Sequence, residues 1–552
     1  MELTTYQKDI LDYFNKYSNK NMYISAKAGC GKSFIASQML KDTSAYSVYV
    51  AFNSSIAQEM RTKINNPKVK IYTMHALCRA ILLYNLQEEA NKEPQSSGGF
   101  GIKKQTINDK VDVFKIQEIL RKKILVGKDY KDFEYNTFLT ENYAQLYNLV
   151  RLKLIDLTQP HTAQKEIRKL ITEQNFFVHP QFSAPSNFTI YDVIEQLDEL
   201  SLREFEESQS YDFTDMLYIT LKKFQTKEWE VPFWANFYNV VVDEAQDLSP
   251  IQLILLLYFK RKNGRYIFIL DPKQAIYAFS GADSNSFRKI KHLYAPIKEF
   301  DLPINYRCAV SHLNYVNKLY SIGIQPCDTA SQGTIKRITE NECLNLVESG
   351  DFIVGRKNKW LIPIILGLIK RGKPVYIKDE GFVKDIISFI KKNKTEEIEL
   401  LQRRLQSTRK KLKEKIEERI EETKTEDEDF ELENNTQETE VDSNEIERIT
   451  IVLDLIKNFK KEHTTNSKKA FLSYVETILN TTPSKDCVIV SSIHCVKGLE
   501  ATNVFVLNEG KAVAEGFMSA EQKQQEYNLS YVSLTRAKEN LYLVSKEGED
   551  YL

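Results

Sequence analysis

The sequence predicts an α/β fold built on parallel sheets. One observation is the stretch YNVVVDEAQDLSPIQLILLLYF, Tyr238–Phe259. Its run of β-branched residues without alternation, Val240–Val242, is typical of a strand buried on both faces of a parallel sheet. Another is MYISAKAGCGKSFIASQML, Met22–Leu40, whose pattern predicts a strand, a loop of small residues and a helix in succession. A third is length, because 552 residues exceed what one core can organise, so two to four domains are expected.

Composition predicts a protein of a reducing compartment. No C-x-x-C pair occurs among the seven scattered cysteines, which argues against a disulfide framework and a zinc ribbon. The opening MELTTYQKD does not have the basic-then-apolar pattern of a signal peptide, and the apolar runs are far shorter than a membrane span. We therefore expect a soluble cytoplasmic protein without a membrane partner, located in the nucleoid, or in a host cell if the protein is viral.

The charges are segregated along the chain although they balance overall. There are 76 basic and 76 acidic residues, but residues 421–447 hold thirteen Asp or Glu and one Lys, which leaves a net charge of +12 on the remainder. Such a remainder is compatible with phosphate binding and does not by itself require it.

Two segments mark domain boundaries. Asn91–Gly101, NKEPQSSGGFG, is a Ser/Gly-rich loop followed by helical patterns to about residue 175. From Ile398 to Ile420, apolar residues recur mostly three, four or seven positions apart among charged ones, which indicates an amphipathic helix. The acidic stretch 421–447 is predicted to be a loop, and EIERITIVLDLIKNFKKEH, Glu445–His463, a returning helix that completes a hairpin.

The small-residue loop near the N-terminus has the order that a phosphate cradle needs. Its backbone N–H groups and the following helix N-terminus would face an anion. Lys32 would reach the β and γ phosphates, and the Ser33 hydroxyl would ligate Mg²⁺. The strict G-x-x-x-x-G-K-[ST] pattern is not met, because Ala26 stands at the first glycine position. The predicted ATP-binding residues of this loop are Ala26, Lys27, Ala28, Gly29, Cys30, Gly31, Lys32 and Ser33.

Asp243 and Glu244 follow the buried strand directly. Ligands of open parallel sheets bind beyond the carboxyl ends of their strands. The alternative is a solvated acidic turn. With a phosphate loop upstream, we predict that Asp243 ligates Mg²⁺, directly or through water, and that Glu244 orients the attacking water as its base. The sequence thus predicts ATP and Mg²⁺ as cofactors.

Further stretches narrow the class. In chain order they are LTTYQKDIL, the phosphate loop, VYVAFNSSIAQEM, IYTMHALCRAIL, YDFTDML, the acidic strand, IFILDPKQAIYAFSGA, LPINYRCA, VIVSSIHCVKGLEATNVFVL and YNLSYVSLTRAKENLYLV. Together they resemble the helicase motifs of the UvrD/Rep group of superfamily 1, over most of the chain outside roughly 95–195 and 390–475. The sequence AFNSSIAQEM…TMHAL is most similar to the corresponding motifs of the F-box helicase branch and related phage enzymes.

The resemblance implies roles around the nucleotide. Gln7 would recognise the adenine edge, Tyr306 would stack on the base, and Glu500 would contact the ribose or the triphosphate.

The resemblance also implies which residues stabilise the negative charge of the transferring phosphoryl group. Arg307 and Arg536 match two arginines that reach the γ-phosphate from the second motor domain, and Gln274 would sense that phosphate and link it to the DNA site. An arginine used in this way is worth about 10³–10⁵ in rate. The alternative for both arginines is a surface ion pair.

The implied DNA contacts are Phe52, His75, Tyr277, Phe279 and His494. Single strands are held by aromatic stacking and by backbone charge. Tyr277 and Phe279 are two positions apart, so an extended segment would present both on one face. The alternative is that these aromatic residues belong to the core.

Two positions depart from the family pattern. Leu270 precedes Asp271 where relatives have glycine, and Ser280 stands where they have arginine, which removes one cationic contact. Ser492 replaces the usual threonine and keeps the hydroxyl.

The implied architecture is two RecA-like motor domains with ATP in the cleft between them. Each domain is built on a parallel sheet, as in P-loop NTPases. The expected boundaries are 1–85 with 195–300 for the first motor domain, 86–194 for a mostly helical insertion, 301–390 with 475–552 for the second motor domain, and 391–474 for the charged hairpin.

The implied activity is ATP-driven 3′-to-5′ movement on single-stranded DNA, with unwinding at junctions of single and double strands. One alternative is a translocase that strips proteins from DNA. Another is a nucleotide-gated adaptor in a repair, replication or phage-defence complex, with the hairpin as its docking arm.

The hairpin itself has two interpretations. In the first, its helices pack on each other or on a partner protein, so that deleting 398–456 would spare the DNA-stimulated ATPase. In the second, its basic residues contact duplex DNA: Arg403, Arg404, Lys410, Lys411 and Lys413.

Overall fold

The computed structural model describes residues 3–92, 110–124, 133–174, 176, 178, 189–277, 281–282, 285–422, 429–479, 486–508 and 520–545. The chain forms two compact units. Unit 1 comprises Met1–Lys27 and Gly31–Leu302, and unit 2 comprises Ala28–Cys30 and Pro303–Leu552. The predicted DNA contact Phe279 and its neighbour Ser280 lie outside the described residues.

Unit 1 is organised around a parallel sheet, which has six strands within the described residues. The spatial order is β3-β2-β4-β5-β1-β6, so β5 separates β4 from β1. The bounds are β1 Asn21–Ala26, β2 Ser47–Ala51, β3 Val69–Thr73, β4 Phe237–Val242, β5 Lys260–Leu270 and β6 Ile297–Leu302. Val240, Val241 and Val242 are fully buried, as expected for a strand covered on both faces.

The helices of unit 1 cover this sheet or form the insertion. They are α1 Thr5–Lys16, α2 Lys32–Lys41, α3 Ser54–Lys63, α4 Met74–Lys92, α5 Lys115–Ile119, α6 Phe133–Lys153, α7 Pro160–Gln174, α8 Ile190–Ser208, α9 Phe213–Gln225, α10 Pro250–Leu256 and α11 Ser286–Leu293. A π-helical turn, Leu120–Ile124, continues α5. Helices α5 to α8 share a core that includes Leu120, Tyr143, Ile167 and Ile194, so the inserted helices have a hydrophobic cluster of their own.

Unit 2 is organised around a second parallel sheet, also of six strands within the described residues, in the order β11-β12-β10-β13-β14-β9. A short parallel pair, β7 Ile304–Asn305 and β8 Gln325–Pro326, lies outside it. The sheet strands are β9 Thr334–Thr339, β10 Phe352–Gly355, β11 Val375–Ile377, β12 Val488–Ser492, β13 Ala501–Leu507 and β14 Ala537–Ser545. The predicted α/β class with parallel sheets is therefore confirmed.

The helices of unit 2 include the predicted hairpin. They are α12 Val310–Tyr320, α13 Glu340–Leu346, α14 Asn358–Lys370, α15 Glu380–Lys392, α16 Ile398–Glu422, α17 Asp429–Glu462, α18 Lys468–Ile478 and α19 Ala520–Leu534. The predicted acidic loop over 421–447 is wrong for 421–422 and 429–447, because α16 continues to Glu422 and α17 begins at Asp429. Residues 423–428 lie outside the described residues. Glutamate is a good helix former, so a high negative charge density does not by itself interrupt a helix.

The hairpin is also not a separate arm. Leu401, Leu405, Ile449 and Phe459 are buried in one hydrophobic cluster with α14, α15 and strands of the sheet. The predicted packing of the two hairpin helices on each other is confirmed. The expectation that deleting 398–456 would spare the DNA-stimulated ATPase rests on a wrong premise, because the deletion would remove part of the core of unit 2.

Phe459→Ala should destabilise unit 2. The Phe459 side chain is fully buried and packs edge-on against Phe471 and Tyr474, with ring centroids at 5.5 and 5.1 Å. Truncating a buried phenylalanine costs about 3–5 kcal/mol of unfolding free energy. Urea unfolding should show a lower midpoint than wild type, whereas Lys411→Ala, an exposed change on α16, should leave the midpoint in place. An unchanged midpoint for Phe459→Ala would mean that the hairpin does not belong to this core.

The expected domain boundaries stay a prediction. Residues 85, 194, 390 and 474 fall inside α4, α8, α15 and α18, since each of these helices continues past the expected boundary. No described helix is both long enough and apolar enough to cross a membrane.

Candidate active site

Three neighbouring strands of unit 1 end at the same edge of the sheet. Strands β4, β5 and β1 are parallel and adjacent in that order. The residues that follow them are Asp243, Asp271 and the loop that leads to Lys32. The parallel topology therefore brings together two carboxylates and a lysine from distant parts of the sequence.

The phosphate loop joins β1 to α2. Ala26, predicted as part of the loop, is the last residue of β1, and α2 begins at Lys32. Gly29 and Gly31 have φ values of +69° and +83°, in the left-handed region that favours glycine. Ser33 lies in the first turn of α2, where backbone N–H groups have no helical acceptor and can donate to an anion.

Lys32 and Glu244 form an ion pair at the end of the sheet. Lys32 Nζ lies 2.9 Å from Glu244 Oε1, and the two side chains are 11% and 13% exposed. Burial alone would lower the pKa of Lys32, but the carboxylates of Glu244, Asp271 and Asp243 raise it above its ordinary value. The lysine therefore carries its charge at neutral pH, as a phosphate ligand must.

Asp243 is buried beside this pair. Its carboxylate accepts a hydrogen bond from the Tyr49 hydroxyl and another from the Glu244 N–H at 2.9 Å. Burial and the Glu244 charge raise the pKa of Asp243 to about 6, against the opposing effect of Lys32. A carboxylate whose charge is this poorly compensated favours a cation nearby. Asp243 and the Ser33 hydroxyl are oxygen donors of the kind that Mg²⁺ prefers, so the donor set fits the predicted metal.

Gln274 lies at the end of the next strand. Its amide Nε2 donates to Asp271 Oδ2 at 2.6 Å, and its backbone N–H donates to the Asp271 carbonyl at 2.9 Å. Both residues are buried. The structure thus places this predicted catalytic residue in the short 3-10 turn Pro272–Gln274, directly after β5.

Gln7 is buried in the first turn of α1. Its side-chain Oε1 accepts from the Thr4 N–H at 3.1 Å, and the Thr4 hydroxyl accepts from the Gln7 N–H at 3.3 Å. This reciprocal pair is a capping box, which fixes the start of the helix. A Cβ built on Gly31 would lie 3.9 Å from Gln7 Nε2, so the amide lies close to the phosphate loop. Its predicted role in adenine recognition stays a prediction.

The tip of the phosphate loop, Ala28–Cys30, groups with unit 2. Within that unit the Tyr306 N–H donates to the Gly29 carbonyl at 2.9 Å, and Asn305 Nδ2 donates to the Ala28 carbonyl at 2.5 Å. A Cβ built on Gly29 would lie 2.8 Å from Arg307 Cβ, so a side chain at this position would collide. The segment that carries Tyr306 and Arg307 therefore packs directly on the loop tip.

Arg307 is held by a carboxylate. Its Nε lies 2.6 Å from Glu500 Oε2, and Lys538 Nζ lies 2.7 Å from Glu500 Oε1. Burial would raise the pKa of Glu500, but Lys538 and Arg307 lower it below its ordinary value. In this structure Glu500 therefore orients a predicted catalytic arginine. Its predicted contact with the ribose or the triphosphate stays a prediction.

The other predicted arginine, Arg536, is almost fully buried. Its Nε donates to the Val532 carbonyl at 2.8 Å and its Nη1 to the Leu499 carbonyl at 3.3 Å. Arg536 thus connects the end of α19 to the loop before β13. The alternative interpretation of Arg536 as part of a surface ion pair is wrong, because its side chain is buried and donates to backbone carbonyls.

Two of the predicted DNA contacts stack on each other in unit 1. The Phe52 and Tyr277 rings have centroids 5.0 Å apart and planes inclined by 25°. Phe52 is 36% exposed, and Tyr277 is half-buried. Because Phe52 follows β2 and Tyr277 follows the Gln274 turn, the pair lies at the same edge of the sheet as the carboxylates.

His75 lies next to a buried charge cluster that the sequence did not indicate. Burial lowers the pKa of His75, although Asp212 opposes the shift. Arg151 of α6 pairs with Asp212 and Asp215 of the YDFTDML stretch, at 2.8 and 2.5 Å. Lys115 of α5 pairs with Asp215 at 2.8 Å. These contacts fasten the inserted helices to the start of α9, and the only sequence signal for them was the two aspartates of that stretch.

His494 lies in a short turn after β12 of unit 2. Burial, Arg356 and Lys497 lower its pKa to about 4, so the ring is neutral at pH 7. Arg356, which the sequence interpretation missed, makes a two-pronged contact with Glu526 at 2.6–2.9 Å. The Ser492 hydroxyl donates to Asp379 at 3.1 Å, which fixes its position at the end of β12.

Comparison with known proteins identifies similar chains. Residues 6–295, more than half of the chain, match the family model described as UvrD/REP helicase N-terminal domain. A probable DNA helicase II homolog of Mycoplasma genitalium is 23% identical over 280 residues, which is 49% of this chain and 35% of that protein. The RecBCD enzyme subunit RecB of Escherichia coli is 30% identical over 187 residues, 33% of this chain and 15% of that protein.

A shorter similarity involves a eukaryotic protein. F-box DNA helicase protein 1 of Schizosaccharomyces pombe is 30% identical over 95 residues, which is 17% of this chain and 10% of that protein. In all three cases the match covers well under two thirds of the relative's own length.

Proposed function

Because the chain belongs to the UvrD/REP helicase family, we propose that it is an ATP-dependent helicase or translocase that moves on single-stranded DNA. The observation that carries the proposal is the Lys32–Glu244 ion pair with Asp243 beside it. Lys32 directly follows the predicted phosphate loop, and the two carboxylates directly follow strand β4. The stacked Phe52–Tyr277 pair at the same sheet edge supports a coupled DNA site.

Hydrolysis would use the residues of this edge as follows. The loop N–H groups and Lys32 hold the triphosphate, and Lys32 exchanges its contact with Glu244 for one with phosphate. Glu244 then accepts a proton from the attacking water as the water adds to the γ-phosphorus and the bond to the leaving ADP oxygen breaks. Mg²⁺, held by Asp243 and Ser33, would neutralise phosphate charge. Arg307 would meet the charge that develops on the transferring group.

Movement would follow from the nucleotide cycle. Bases of the single strand stack on Phe52 and Tyr277, and His75 and His494 contact the strand with them. Phe279, which lies outside the described residues, stays a predicted DNA contact. We further propose 3′-to-5′ polarity, with unwinding where the single strand meets duplex.

The test combines two assays on the purified chain. ATP hydrolysis should rise by more than an order of magnitude when single-stranded DNA is added, as expected for a motor whose DNA site is coupled to its ATP site. Strand displacement should occur on duplexes with a 3′ tail and fail with a 5′ tail. Stimulated hydrolysis without displacement would favour the protein-stripping translocase. Hydrolysis indifferent to DNA would contradict the proposal and favour the nucleotide-gated adaptor.

Phe52→Ala should weaken single-strand binding. Stacking of one base on an aromatic ring contributes about 1–3 kcal/mol, so affinity for an oligothymidine should fall roughly fivefold to more than a hundredfold. Phe233→Ala removes an aromatic ring that is 79% exposed elsewhere on unit 1 and serves as the matched control. Fluorescence anisotropy measures both variants. Equal affinities for Phe52→Ala and wild type would exclude this aromatic pair from the DNA site.

A further inference from the structure

A single buried amide connects the ends of two strands of unit 1. Gln246 lies in the 3-10 turn Ala245–Asp247 after β4, and its side chain is fully buried. Its Nε2 donates to Glu244 Oε2 at 2.5 Å and to Asp247 Oδ2 at 3.3 Å, and its Oε1 accepts from the Asp271 N–H at 3.0 Å. The two carboxylates can only accept and the N–H can only donate, so these partners fix the orientation of the amide.

The chain of hydrogen bonds continues beyond Asp271. The Asp271 carboxylate accepts from Gln274 Nε2 at 2.6 Å. Gln274 lies three residues before Tyr277, whose ring stacks on Phe52. A series of hydrogen bonds therefore runs from the predicted base Glu244 through Gln246 and Asp271 to Gln274, and three residues of backbone connect Gln274 to the aromatic pair.

Glu244 depends on such contacts for its position. It has φ +51°, a left-handed conformation that costs a residue other than glycine free energy and persists only where neighbours enforce it. One oxygen of its carboxylate faces Lys32 and the other accepts from Gln246. When a triphosphate takes over Lys32, the Gln246 contact remains to orient the carboxylate.

We propose that Gln246 is a positioning residue that orients the Glu244 carboxylate and transmits DNA occupancy at Phe52 and Tyr277 to it. A base stacked on Tyr277 shifts or rigidifies the Gln274 turn. Asp271 and the Gln246 amide carry that change to the carboxylate, which then faces the attacking water. This inference rests on the proposed function, because it assigns Glu244 the role of base.

The test compares hydrolysis with and without DNA in Gln246→Met, which keeps the length of the side chain and removes its hydrogen bonds to Glu244, Asp247 and Asp271. A hydrogen bond to a charged group corresponds to about tenfold to a hundredfold in rate. DNA-stimulated kcat should fall by that factor, basal hydrolysis should fall less, and KM for ATP and affinity for single-stranded DNA should stay near wild type. The ratio of stimulated to basal rate is the readout that a merely structural role would not move.

Ser286→Ala is the matched control. The Ser286 hydroxyl donates to the backbone carbonyl of Gln246 at 2.9 Å, so this change removes a buried hydrogen bond to the same residue without touching the amide. Its stimulation ratio should equal that of wild type. If Gln246→Met does not fold, Gln246→Asn keeps a buried amide that is too short to reach both Glu244 and Asp271, and the same loss of stimulation is expected.

Two outcomes would overturn the inference. One is a wild-type stimulation ratio in folded Gln246→Met or Gln246→Asn. The other concerns the double variant Gln246→Met with Tyr277→Ala. If both residues act through one path, its loss of DNA stimulation should be smaller than the product of the two single losses, so a loss equal to that product would contradict the inference. Either result would leave the proposed function intact as long as Glu244→Gln abolishes turnover. Normal turnover in Glu244→Gln would instead refute the proposed function.

Discussion

Glu244→Gln should bind ATP as well as wild type and lose hydrolysis by about 10²–10⁴-fold, the contribution expected of a general base. The substitution keeps the shape of the side chain and removes its ability to accept a proton. It also removes the negative charge that faces Lys32 at 2.9 Å, so ATP affinity should stay equal or rise. Lys32→Ala should also abolish hydrolysis, but with weaker ATP binding, because it removes the phosphate ligand itself.

The measurement is steady-state phosphate release together with equilibrium binding of a fluorescent ATP analogue. Glu299→Gln makes the same chemical change at an exposed ion pair with Lys291 and should behave as wild type in both assays. Wild-type turnover in Glu244→Gln would show that the carboxylates after β4 form a structural acidic turn. Loss of binding together with turnover would show that Glu244 supports the nucleotide site as a whole.

The local parts of this edge could be predicted from the sequence because local chemistry determines them. Consecutive β-branched residues at Val240–Val242 favour a strand covered on both faces, and small residues before Lys32 favour a tight loop into a helix. Parallel strands then bring their carboxyl ends together whatever their distance in sequence. That is why the meeting of Lys32 with Glu244 could be anticipated although 211 positions separate them.

Contacts that depend on packing could not be predicted. The role of Gln246 depends on β5 ending beside β4, so that the Asp271 N–H meets its amide, and nothing in the DEAQD stretch specifies that distance. The prediction of an exposed hairpin was wrong because it relied on the local charge pattern alone. Its charge pattern suggested exposure, whereas Ile449, Leu455 and Phe459 bury one face of α17 in the core of unit 2. A charged sequence with an apolar residue at every turn can cover a core as well as face solvent.

Arg307→Ala should reduce DNA-stimulated turnover by about 10³–10⁵-fold while weakening ATP binding much less, because an arginine at the transferring phosphoryl acts mainly in the transition state. Arg307 is the better test of the two predicted arginines. Arg536 is buried and donates to backbone carbonyls, so Arg536→Ala would lower stability as well as rate. The Arg307 side chain is 15% exposed, and its ion-pair partner Glu500 also has Lys538 to compensate its charge.

Lys538→Ala provides the control that separates position from charge. It removes one positive charge from the same carboxylate, at 2.7 Å, from a side chain that is 45% exposed. Turnover should change by less than tenfold, since exposed ion pairs contribute about 0–1 kcal/mol. If Lys538→Ala lost as much DNA-stimulated turnover as Arg307→Ala, turnover would depend on the total positive charge around Glu500 and not on Arg307 in particular. Near-normal turnover in Arg307→Ala would mean that unit 2 does not supply this cation, and the adaptor function would then be favoured.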